Sequence, residues 1–147
     1  MKNWKLCPKI ERVLNYVECY WFLEREPHDH SHIHPKLNPD PSAYLIIASD
    51  NYLHQYDHQA TSQVVQGSHW IFPHLKTYTM DHLSPFKIIG IKFRVGALYS
   101  LNLYDLSSGL DNVEPIDIQS TTWLGASQYR ATNNERSGLA ASTKYAG

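Results

Sequence analysis

Cysteine is scarce in this 147-residue chain: it has two, Cys7 and Cys19, in no Cys-x-x-Cys arrangement. They supply neither a disulfide framework nor a zinc-binding pair, and both read as reduced thiols, Cys19 as a small buried hydrophobe. No apolar run approaches the roughly 20 residues of a membrane-spanning helix, and no apolar stretch follows Lys2 and Lys5 as in a secretory leader. A cytoplasmic setting with no membrane partner is the expectation. An excess of one charge sign is also missing, with 13 Lys+Arg against 14 Asp+Glu. Without a basic stripe, nucleic acid is a poor partner for this chain by itself. Neither a Gly-x-Ser-x-Gly elbow, a P-loop nor a dinucleotide-type glycine pattern occurs. Asp81, His82 and Ser84 are close in sequence, but adjacent strand side chains point to opposite faces, which argues against a triad. The expectation is a protein that is not an enzyme, with no catalytic residue and no cofactor.

Aromatic residues are plentiful: 10 Tyr, 4 Trp and 4 Phe. Such rings suit sheets and binding cavities, and they fill ordinary cores equally well. The length is that of one domain able to bury a real core. Pro8 opens a short helical pattern through Ile10, Val13, Leu14 and Val17. The period then changes, and Val17–Leu23 reads as a strand with Val17, Cys19, Trp21 and Leu23 on one face. Residues 28–37 alternate and form the next strand candidate, before the turn at Asn38-Pro39-Asp40-Pro41. Ala43–Ala48 reads as a buried strand, with Tyr52–Tyr56 pairing back on it as a hairpin. Residues 57–63 read as a polar loop. Further strands are expected at 64–72, with Gly67 as a bulge or close approach, at 76–80 and at 86–94. After Gly96, residues 97–103 fit a short helix, with Asp105-Leu106-Ser107-Ser108 offering a cap for one more turn. Residues 113–118 read as a loop holding Pro115. Six to eight short strands with a helix near each end predict a mainly β, antiparallel sandwich or jelly-roll barrel over residues 1–118. Residues 119–147, rich in Ser, Thr, Ala, Asn and Gly, are expected to form a loosely packed tail.

His28, His30, His32 and His34 alternate. On a strand they would share one face at about 7 Å spacing, within reach of a common metal ion. The carboxylate that would complete a ligand set is missing at short range after them: Lys36, Asn38 and Asp40 follow instead. Their spacing therefore favours an exposed polar edge or loop over a metal site.

Three segments together resemble the N-terminal, cupin-like sensor domain of a subgroup of AraC-family transcription regulators. The first is the proline-started helix running into Tyr16-Val17-Glu18-Cys19-Tyr20-Trp21-Phe22-Leu23. The second is Leu37-Asn38-Pro39-Asp40-Pro41 followed by Tyr44-Leu45-Ile46-Ile47. The third is Gly90-Ile91-Lys92-Phe93-Arg94-Val95-Gly96-Ala97, where the family reads Gly-Val-Arg-Phe-Arg-Pro-Gly-Gly before a short helix. Lys92, Val95 and Ala97 depart from that wording. Leu106, Val113 and Pro115 are similar to the segment downstream, so the likeness covers about residues 8–118. The resemblance implies a cupin-like jelly roll that senses a small-molecule effector and passes the signal to a partner or DNA-binding domain. The helix-turn-helix units of such regulators are not in this sequence, so DNA would be reached only through another domain.

A barrel of this kind holds ligands between its sheets, walled by aromatics and oriented by one or two charges. Trp21, Tyr44, Trp70 and Phe93 are the candidate wall residues, and Arg94 is the candidate anchor for a carboxylate. Core packing is the competing role for the aromatics. For Arg94 it is bonding to carbonyls near Gly96 or pairing with Glu114 or Asp117. Two other readings stay open: a free-standing binder of small organic molecules, and a metal-dependent cupin-like enzyme using the histidine row. A homodimer paired through an exposed sheet edge is likewise open.

Overall fold

Strand β2 (Val17–Arg25) and strand β9 (Phe86–Phe93) pair antiparallel in the computed structural model, which describes residues 1–101 and 109–116. A register shift between Val17 and Cys19 puts Val17 in a different apolar cluster from Trp21 and Leu23, not on one face with them as expected. Around this ladder a six-stranded sheet assembles in the order β1-β2-β9-β4-β7-β10. Its other members are β1 (Lys2–Leu6), β4 (Tyr44–Ile47), β7 (His69–Ile71) and β10 (Val113–Pro115). A second sheet runs β3-β8-β5-β6, from β3 (Lys36–Leu37), β8 (Tyr78–Met80), β5 (Leu53–His58) and β6 (Thr61–Gln66). All strand pairs are antiparallel. Among the described residues there are only two helices, each of one turn: α1 (Glu11–Leu14) and α2 (Ala97–Ser100). The protein is thus mainly β, in two antiparallel sheets of the jelly-roll type, as the strand rhythm predicts. Among the described residues no helix is long and apolar enough to cross a membrane.

Alternation along the strands sorts the apolar residues into two clusters. Ile46, Tyr56, Val65, Ile71, Tyr78, Phe86 and Ile88 form one, with Trp21, Leu23 and Tyr44 packed against it. Val17, Ala43, Phe72, Phe93, Ala97 and Leu98 form the other, on the side of the six-stranded sheet where the helices lie. The register of β2 on β9 sets Trp21 directly opposite Gly90. A Cβ on Gly90 would stand 2.0 Å from Cε2 of Trp21, so the indole lies flat across the space that a side chain would fill. Only glycine allows this approach.

Several sequence expectations are corrected. Residues 28–37 are not a strand; only Lys36–Leu37 extends there, against Tyr78–Thr79. The reason is Arg25, 2% exposed at the end of β2. Its guanidinium donates to the carbonyls of Asp29 (2.7 Å), Ser31 and His32 (3.0 Å) and stands 3.6 Å from the Asp29 carboxylate. The segment coils around that cation, and His28, His30, His32 and His34 all end exposed. The polar stretch at 57–63 is not a loop but the heart of the β5–β6 hairpin, turned at Gln59 with φ 52°. Residues 64–72 are not one strand: Gly67, at φ 72° and packed on Asp50, sends β6 into one sheet and β7 into the other. Tyr52–Tyr56 does not pair with Ala43–Ala48, since β4 and β5 lie in different sheets. Residues 113–115 pair with β7 rather than looping. Strand β1 was invisible to periodicity because all five of its residues are exposed. The expected helix end at 102–103, the cap at 105–108 and the tail lie outside the described residues.

Replacing Gly90 by alanine tests the central contact. The added methyl displaces the Trp21 ring, and overpacking of this kind destabilises by about 1–3 kcal/mol. Urea unfolding followed by tryptophan fluorescence reads both the lost stability and the moved indole. Unchanged stability with an unchanged emission spectrum would contradict the packing described.

Candidate functional site

A cavity of about 260 Å³ opens where β9 ends, lined by Pro41, Ala43, Pro73, Arg94, Val95, Gly96, Leu98 and Tyr99. Its walls follow from local chemistry. Asp40 and His74 exchange backbone hydrogen bonds at 3.0 Å, which sets Pro41 beside Pro73. The Asp40 carboxylate accepts from the Ser42 amide at 2.8 Å and from the Tyr44 hydroxyl at 2.5 Å, fixing the turn. Gly96 takes φ 79°, a left-handed conformation that any side chain would strain, and so starts α2 within two residues of the strand. Ala97 and Leu98 are buried by that turn, while Val95 and Tyr99 stay exposed.

Arg94 is the one charged residue of this lining. Its amide donates to the Tyr16 carbonyl at 2.8 Å and its Nε to the Leu14 carbonyl at 2.5 Å, tying it to the end of α1. This is a carbonyl anchorage, though to Leu14 rather than to the loop near Gly96. Among the described residues the two terminal nitrogens have no hydrogen-bond or ion-pair partner. Among the described residues the guanidinium is thus held at its base with its fork unpaired, the form that takes a carboxylate with two hydrogen bonds.

The other expected wall residues do not join Arg94. Trp70 and Phe93 do meet, with ring centroids 5.7 Å apart, but inside the helix-side cluster. Trp21 lies over Gly90 against the opposite cluster. Tyr44 belongs to a polar network: Lys92 stands 2.8 Å from Glu18 and 3.5 Å from Asp40, and 5.8 Å from the centre of the Tyr44 ring. Burial and the hydrogen bond to Asp40 push the Tyr44 phenol well above its ordinary range. The Glu18 hydrogen bond raises Lys92 in the same way. At neutral pH the Tyr44 phenol is therefore neutral, while Lys92 and Asp40 are charged.

Four of the described histidines are buried: His54, which the sequence did not single out, and His69, His74 and His82, which could have offered a distant partner to the histidine row. His69 is wholly buried. Its Nδ1–H donates to the Gly67 carbonyl at 2.8 Å, leaving Nε2 to accept from the Tyr56 hydroxyl at 2.7 Å, which defines a neutral tautomer. His54 packs on His69 with centroids 4.6 Å apart. Burial lowers His54 from 6.5 to about 3, with His69 and His82 adding to the effect, and lowers His69 to about 4. His82 falls to about 4, through burial first and the nearby Arg25 second. Among the described residues no group of three or more His, Cys, Asp or Glu is arranged to hold a metal ion. In the exposed row, His28 Nε2 lies 3.2 Å from Glu26, a carboxylate that precedes the row. Asp81 accepts from the Leu83 amide at 3.0 Å and so caps a turn.

These shifts set an acid limit. All three histidines are neutral when folded and protonate near 6.5 when unfolded, so their contribution is complete above pH 6.5. It is lost as pH falls from 6.5 towards 4, each group costing up to about 1.4 kcal/mol per pH unit. Urea midpoints measured at pH 7, 6 and 5 should fall steeply, and less steeply for His54→Leu. A flat profile would show that the imidazoles are not held neutral.

Two comparisons find nothing: no curated protein and no solved structure matches the chain. The model of one family, the domain of unknown function DUF6597, matches residues 10–114, from the start of α1 to β10. That span takes in both sheets apart from β1, together with the Arg94 cavity, and the chain belongs to the DUF6597 family.

Proposed function

We propose that this chain is a small-molecule-sensing regulatory domain of the cupin-like kind found in AraC-type transcription regulators, and that its effector is a small organic acid. The observation that carries the reading is the open fork of Arg94 at the rim of an otherwise apolar cavity. Pro41, Ala43, Pro73 and Leu98 offer contact to a hydrocarbon or aromatic body, and the guanidinium offers paired donors to its carboxylate. The likeness of the Gly90–Ala97 segment to the sensor domains supports the same assignment.

Coupling follows from what the cavity touches. Its walls come from the Asp40–Pro41 turn, the end of β9 and the first turn of α2, and Arg94 ties them to the end of α1. A ligand bridging these elements fixes the geometry of α1 and α2 against the sheet. A partner domain or second copy that reads those helices then senses occupancy through its differential affinity for the two states. Contact with DNA belongs to a helix-turn-helix domain, not to this fold.

Calorimetric titration with benzoate, hexanoate and the corresponding amides tests the proposal. Acids should bind, amides should bind at least about tenfold more weakly, and Arg94→Gln should cost the acids about 10- to 100-fold in affinity. Equal affinity for acid and amide, or no heat from either acid, would remove the reading.

A further inference from the structure

At the other end of β9, a second cavity of about 390 Å³ is lined by Ser49, Asn51, Tyr52, Pro85, Phe86 and Lys87. Tyr52 and Phe86 also belong to a nest of rings within the sandwich. The Tyr52–His54 centroids are 4.5 Å apart, His82–Phe86 4.4 Å and Tyr52–Phe86 5.7 Å. His54 and His82 are 4% and 5% exposed, and neither ring makes a side-chain hydrogen bond within the described residues. Nε2 of His54 and Nδ1 of His82 are buried without a partner, and so is Nε of Arg25, whose residue pairs with Phe86 across the ladder. Buried polar atoms are normally satisfied, and leaving one unpaired is costly. Three in one neighbourhood, behind two rings that also line an open cavity, form a set of hydrogen-bonding positions with nothing among the described residues to fill them.

We propose that the cavity continues past Tyr52 to the imidazoles of His54 and His82, and that this is a second binding site, for a small, flat, uncharged molecule with a hydrogen-bonding edge. Flatness follows from the rings of Tyr52 and Phe86, which line the outer cavity and pack on the two imidazoles. The lack of charge follows from the partners. A neutral imidazole presents one donor and one acceptor and cannot compensate an ion. The neighbouring cations are already countered: Arg25 by Asp29 at 3.6 Å, and Lys87 by Glu24 at 3.9 Å. Burial keeps both imidazoles unprotonated at neutral pH. Tyr52 is the movable part. Its backbone is fixed by bonds with Ser49 and Gly67, but its hydroxyl reaches the Ser84 carbonyl only at 3.5 Å, the outer limit of a hydrogen bond. Rotation of that one side chain joins the outer cavity to the buried nitrogens.

Phenol and uracil are suitable probes, with benzoate as the charged control, read by thermal unfolding and by the imidazole resonances of the intact chain. At ten times the dissociation constant, a neutral probe should raise the melting temperature by roughly 4 °C and shift the His54 and His82 signals. His54→Leu and His82→Leu should each abolish the rise. Without probe, these variants should melt no lower than the parent, because each removes an unpaired buried nitrogen. Arg94→Gln should leave the phenol response intact while losing the benzoate response, which separates this site from the first. Should the leucine variants fail to fold, the wild-type resonances still decide. Unmoved His54 and His82 signals with both probes at millimolar concentration would overturn the proposal, as would a thermal response that survives both leucine substitutions.

Discussion

The β2–β9 ladder, closed by the indole of Trp21 on Gly90, is the contact on which the rest of the fold depends. It runs through the larger sheet and contributes side chains to both apolar clusters, Ile88 to one and Phe93 to the other. Its two ends carry the two arginines that organise the surrounding chain. Arg25 gathers the carbonyls of residues 29–32 at one end. Arg94 ties the end of α1 to the start of α2 at the other. Each cavity lies at one of these ends, roughly 25 Å apart along an eight-residue strand. A one-residue slip of this register would separate Trp21 from Gly90 and exchange the faces of both clusters.

Polar groups inside the sandwich give the molecule its chemical character. His69 is satisfied by Gly67 and Tyr56 and acts as a rigid neutral strut between β7 and β5. His54 and His82 are not satisfied, and Arg25 is satisfied only at its terminal nitrogens. A fold that tolerates such groups gives up stability at that end relative to an apolar core. The Arg94 end is built the other way, with an apolar lining and a single charge at the rim.

Much of the fold was legible because the central strands alternate. Phe86–Phe93 and Val17–Arg25 show their period directly, and the left-handed Gly96 marks the strand-to-helix switch. What failed did so for physical reasons. The β5–β6 hairpin carries polar residues through 57–63, and hydrophobic periodicity does not register polar stretches of strand. The histidine row alternates as a strand does, yet a buried guanidinium with three carbonyl partners outweighs that local preference. Of the expected site residues, Arg94, singled out for its place at a strand end, lines the cavity at the end of β9. The aromatics were not separable from core, since Trp70 and Phe93 meet in the helix-side cluster. His54 carries no local signal and His82 only its place beside Asp81 and Ser84; they become a pair only once β5 and the segment before β9 meet.

The central claim is that the Arg94 cavity takes an organic acid. Backbone amide shifts in a labelled sample, followed while benzoate is added, test it most directly. The account predicts saturable shifts concentrated at Ala43 and at residues 94–99, absent with benzamide. Shifts scattered over the exposed histidines, or none at saturating acid, would contradict it.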